Sequence, residues 1–121
     1  MGYSTTFKGE LKFTIELDAE HIAKIKSFLG EDCREHPEWG NTKLTYVDLE
    51  FTENFSGLKW DGSEKTYDLV DKVNLLIENI KKEYPDFGLY GELSAQGEEA
   101  SDQWILTIEN GKATNKKTTT F

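Results

Sequence analysis

The sequence predicts an α+β domain: a two-layer fold with an antiparallel sheet of five to six strands and two helices on one face. Three observations carry this prediction. Strict apolar–polar alternation over 7–17 marks a strand wet on one side only. A wide apolar stripe from Tyr67 to Tyr84 marks one long amphipathic helix. The periodic segments follow the order β-α-β-β-α-β-β, with strands and helices in mixed runs rather than strict alternation. The first six elements match the split βαβ, ferredoxin-like order. The alternative is a five- or six-stranded meander with a different strand order. At 121 residues the chain has room for a single domain, 1–121.

Each element has a local reason. In the first strand Phe7, Gly9, Leu11, Phe13, Ile15 and Leu17 alternate with Lys8, Glu10, Lys12, Thr14 and Glu16. Asp18 is placed as an N-cap, and Ile22, Ile25, Phe28 and Leu29 fall at helical spacing up to Gly30, so 19–29 reads as a short helix. The run 30–42 carries Pro37, two glycines and several charges, and reads as a surface loop. Val47, Leu49 and Phe51 alternate with Tyr46, Asp48 and Glu50, which predicts a strand with the last three on its wet face. Asn54, Ser56 and Gly57 mark a turn into a third strand that points Leu58 and Trp60 inward.

Asp61-Gly62-Ser63-Glu64 has the spacing of a capping box, so the long helix is expected to start there, with Thr66 as the alternative cap. Asp68 and Lys72 are expected as an i,i+4 pair on its wet side. Pro85 ends it. A fourth strand follows, with Leu89, Gly91, Leu93 and Ala95 inward and Tyr90, Glu92 and Gln96 outward. Trp104, Leu106 and Ile108 form the inward side of a fifth. Asn110-Gly111 predicts a type I′ turn into an edge strand over 112–117. Thr118 to Phe121 are expected to fray.

Charge narrows the function classes. Fourteen Lys+Arg against 23 Asp+Glu give a formal charge of -9. Phosphate binding rests on Lys and Arg, so direct nucleic-acid binding is not expected, nor is docking on an anionic bilayer. No apolar run approaches the roughly 18 residues a membrane span needs. The single cysteine, Cys33, forms no internal disulfide and suits a reducing compartment. The N-terminus lacks the apolar core of a secretory signal. Met1-Gly2 with Thr6 fits a myristoylation pattern, but the next residues already read as a strand. A cytoplasmic location is therefore expected.

Motifs of catalysis are sparse. Cys33 and His36 have C-x-x-H spacing, but zinc needs four such ligands, and the remaining histidine, His21, sits on the first helix. Glu10 and Lys12 have the E-x-K spacing of many nucleases, without the preceding Pro-Asp. Phosphate-cradling glycine loops and a nucleophile elbow are absent. No cofactor or metal is expected, and no catalytic residue is assigned. Trp39, set among Pro, Glu and Gly, either folds back on the core or is presented to a partner.

Three stretches are similar to one another's counterparts in a single group of proteins. Gly2, Tyr3, Thr5, Phe7 and Gly9 give a G-Y-x-T-x-F-x-G start. Trp60, Asp61, Gly62, Glu64, Lys65 and Tyr67 give W-D-G-x-E-K-x-Y, and Gln96, Gly97, Glu98 and Asp102 give Q-G-E-x-x-x-D. Together they resemble a family of small uncharacterised bacterial and phage proteins. The resemblance spans about half the chain, misses 30–57, and implies a phage or mobile-element setting with no assigned activity.

The function expected from this is that of a non-enzymatic, acidic protein-binding module. It would act on a host or phage protein, such as a defence protein with a basic nucleic-acid-binding groove, and exist as a monomer or homodimer. The binding candidates are Trp39, Tyr46, Asp48, Glu50, Asp61, Glu64, Tyr90, Glu92, Gln96, Glu98 and Glu99. Asp48 and Glu50, two apart on a strand, would sit about 6.8 Å from each other and echo phosphate spacing. The alternative is a small ligand- or metal-binding enzyme with a pocket near Trp60, Asp61, Gln96 and Glu98.

Overall fold

The computed structural model describes residues 4–117. Gly2 and Tyr3 of the first motif, the Met1-Gly2 pattern and the expected fraying of Thr118 to Phe121 lie outside them. The chain runs through β1 (Thr5–Phe13), α1 (Ala19–Lys26) and two single 3-10 turns, Cys33–Glu35 and Pro37–Trp39. It continues through β2 (Leu49–Phe51), β3 (Gly57–Trp60), α2 (Leu69–Glu83), β4 (Leu89–Gly97), β5 (Gln103–Glu109) and β6 (Lys112–Lys117). The strands form one sheet in the order β2-β3-β1-β4-β5-β6, and every neighbouring pair is antiparallel.

Alternation decides which face is covered. Phe7, Leu11, Phe13, Leu58, Leu89, Leu93 and Leu106 are buried, and they share one apolar cluster with Ile25 and Phe28 beside them and Leu69, Val73, Leu76, Ile77 and Ile80 of α2. The other face of the sheet is bare. The α2 side chain Asn74 ties the helix to the edge strand: its Nδ2 donates to the Ala113 carbonyl at 2.9 Å, and its Oδ1 accepts the Ala113 N–H at 2.7 Å. The helix is therefore anchored by directional bonds as well as by area.

Glycine makes the central pairing possible. Gly9 and Gly91 have φ of +107° and +108°, and an added Cβ would meet the carbonyl oxygens of Glu92 and Glu10 at 2.8 and 2.9 Å. Asn110 and Gly111, with φ of 52° and 78°, form the expected I′ turn.

Several expectations are corrected. β1 stops at Phe13, and α1 ends at Lys26 rather than 29. The 30–42 run is less loop-like than its composition suggests: Cys33 is buried, Gly30 N–H donates to the Val47 carbonyl and Val47 N–H to that of Glu31. The long helix starts at Leu69, not at 62. Asp61 instead accepts the N–H and hydroxyl of Ser63 at 2.9 and 2.6 Å, closing its own turn. Tyr67, expected on the apolar stripe, is 41% exposed.

Asp48 is the largest correction. It was expected on the wet face and is 5% exposed. Leu49 N–H donates to the Val47 carbonyl, a three-residue turn centred on Asp48 that breaks the alternation and buries 47, 48 and 49 in succession.

Candidate functional site

Antiparallel pairing gathers six chain segments at one end of the sheet. Thr5 at the start of β1 faces Gly97 at the end of β4, and Gln96 faces Gln103 at the start of β5. β3 runs against β1, so Trp60 at its end comes to the same side. The Phe7 ring lies between two tryptophans, 5.8 Å from Trp60 and 5.7 Å, edge-on, from Trp104. The 61–68 segment then crosses this end and leads into α2.

A groove of about 360 Å³ opens here, lined by Thr5, Phe7, Thr66 to Asp71, Trp104 and Asn115. Its floor is aromatic and its rim acidic. The acids that line it are Asp68 and Asp71; Asp61 and Glu64 precede them in the same segment, and Glu98, Glu99 and Asp102 follow β4 in the β4–β5 turn, outside the lining. Asp68 holds φ of 54° and its carboxylate caps nothing in α2. A second groove of about 680 Å³ lies at the opposite end, where Phe55 is half exposed, but Lys12 and Glu16 balance each other there.

Beneath the acidic segment is a buried polar knot. Lys72, expected on the wet side, is fully buried; its Nζ donates to Thr45 Oγ1 at 3.1 Å and lies 4.0 Å from Asp48 Oδ2. Burial pushes the Asp48 carboxyl up, opposed by the Lys72 charge and the hydroxyls of Thr66 and Ser63. Burial pushes the Lys72 ammonium down, opposed first by Asp48. Trp60 Nε1 donates to Thr66 Oγ1 at 2.8 Å, so the knot is linked to the aromatic floor. Position 72 lies between 69 and 76 on the helix, inside the apolar stripe, which is the signal that places its side chain inward.

The other candidates are scattered. Glu50 pairs with Lys59 at 3.5 Å on the bare face. Tyr90 is 52% exposed there, and Glu92 is exposed beside it. Tyr46 is half exposed under the Arg34 guanidinium, 6.0 Å from its ring. Trp39 folds back: it stacks on His36 at 4.0 Å and meets Phe28 at 4.4 Å. Gln96 is structural, its Nε2 donating to the carbonyls of Gly97 and Glu99 at 3.1 and 3.0 Å. Glu98 accepts the Ser4 N–H at 3.0 Å, and Glu64 is exposed.

The C-x-x-H pair does not converge. Cys33 is buried, and burial pushes its thiol up. His36 is held between Glu31 and Glu38, each 3.1 Å away, and the Glu38 hydrogen bond first among them raises its pKa. His21 closes the α1 capping box with Asp18. Among the described residues no group of three or more His, Cys, Asp or Glu is arranged to hold a metal ion, and no helix is long and apolar enough to cross a membrane. Comparison with family models, curated proteins and solved structures gives no match.

Proposed function

We propose that this protein is a non-enzymatic binding module that takes a basic segment of another protein into the acid-rimmed groove at the start of α2. The observation that carries the reading is the coincidence of an aromatic floor, Phe7, Tyr67 and Trp104, with the acidic rim of Asp68 and Asp71. A cationic side chain gains both from aromatic faces and from carboxylates, and aromatic residues concentrate binding energy. The phage or mobile-element setting, in which the module modulates a host defence protein, rests on the three-motif resemblance alone. We further infer a ferredoxin-like split βαβ in the first six elements, supported by the β2-β3-β1-β4 order and its antiparallel pairs.

The enzyme reading has less support. Asp61 and Gln96 use their polar atoms within their own turns, which leaves little for a substrate. The binding reading also moves away from Asp48: reversing a buried carboxylate would test folding, not docking.

Calorimetric titration with a short arginine-rich peptide tests the proposal. Asp68→Asn with Asp71→Asn should weaken binding roughly tenfold, about 1.4 kcal/mol. Glu10→Gln with Glu50→Gln, the same change in net charge on the bare face, should leave it nearly unaltered. Equal losses from both pairs would reduce the effect to overall charge and overturn the reading.

A further inference from the structure

We propose that the bare face of the sheet is a contact surface for a second copy of this chain, packed face to face about a two-fold axis. The argument starts from where the charge is not. The chain carries a formal -9, yet the charged residues that register places on this face are Lys8, Lys12, Lys59, Lys112 and Lys116 against Glu10, Glu50, Glu92 and Glu109. The net negative charge of the molecule lies elsewhere, so two copies meet with least repulsion across this face.

The pairing within the face is incomplete. Lys12 lies 3.7 Å from Glu10, Lys59 lies 3.5 Å from Glu50, and Lys116 pairs with Glu109. Among the described residues Lys8 and Glu92 have no ion pair. Glu92 sits directly opposite Glu10 on the neighbouring strand, an unfavourable arrangement of like charges. Lys8 faces Ser94, two residues along β4 from Glu92. A two-fold axis between them brings each Lys8 to the partner's Glu92, and the same operation supplies both contacts.

Size and shape allow it. Strands about 4.8 Å apart, and nine-residue β1 and β4, give a face on the order of 700 Å². A standard interface takes about 800 Å² from each partner. Exposed Tyr90 and half-buried Ile105 supply apolar contact, and Ile105 lines a shallow depression of about 350 Å³ with Lys8 and Ser94. A nucleic acid is disfavoured because four glutamates are interleaved with the lysines of this face.

Sedimentation equilibrium over a concentration series at low salt tests the contact. Wild type should dimerise. Lys8→Glu and Glu92→Lys should each weaken the dimer at least tenfold, because each sets like charges against each other twice. An equimolar mixture of the two variants should restore dimers, because both contacts then pair opposite charges. Ile105→Glu, with folding checked by circular dichroism, should also dissociate the dimer. Wild type monomeric up to about 1 mM, dimers indifferent to all three changes, or a mixture that stays monomeric would each overturn the proposal.

Discussion

Lys72 and Asp48 show how burial alters the behaviour of a charge. Both are nearly inaccessible, and desolvation moves each toward its neutral form. Removing one partner leaves the other charge buried, so Lys72→Met should cost about 3–5 kcal/mol in denaturant unfolding. Lys72→Met with Asp48→Asn should cost far less than the sum of the single changes, because the desolvation of both ions disappears together. The sign with pH follows from proton binding. The folded Lys72 binds its proton more weakly than the unfolded chain, whose value is 10.5. Stability due to Lys72 therefore rises with pH from the lowered folded value up to about 10.5; Lys72→Met should lack that rise, so the wild-type-minus-variant difference should show it. His36 has the opposite sign. Its raised folded pKa gives stability that is present below 6.5 and lost as pH rises through the folded value, and His36→Ala should flatten that part of the profile.

At the scale of elements, the β1–β4 pair depends on two glycines that face each other's strands. Gly9→Ala or Gly91→Ala combines positive φ with a carbonyl contact under 3 Å, and each should cost on the order of 2 kcal/mol in thermal or denaturant unfolding. Much of this scale is legible in the sequence, because a period of two or 3.6 is a local property. β1, β4, β5, the Asn110-Gly111 turn and the Asp18 cap all follow from neighbours a few residues apart. What fails is decided over longer range. The Asp61-Glu64 spacing suits a cap, but the chain must cross from the end of β3 before a helix can cover the sheet, and Trp60 Nε1 holds Thr66 in that crossing. Asp48 alternates correctly in the sequence and is turned inward by the bond from Leu49 to Val47 and by the cation of Lys72. The groove itself is not legible: the candidates Asp61, Glu64, Glu98 and Glu99 belong to segments at that end of the sheet but do not line it. From the sequence Tyr67, Asp68 and Trp104 read as helix or core, because nothing local brings α2 and β5 together.

For the whole molecule, the distribution of charge separates two surfaces with different uses. One end concentrates carboxylates around exposed Tyr67 and half-buried Trp104, while the broad bare face is near balance and suited to its own copy. The two should be independent: Lys8→Glu should leave peptide affinity within about twofold, and Asp71→Asn should leave the dimer intact by sedimentation. Association at the acidic end should weaken steeply as salt rises past about 0.1 M, where the screening length falls to roughly 10 Å. The most direct measurement is amide chemical-shift mapping during titration with an arginine-rich peptide. The account predicts shifts concentrated in Thr5, Phe7, Thr66 to Asp71 and Trp104. Shifts centred on Glu10, Tyr90 and Glu92, or spread evenly over every acidic segment, would contradict it.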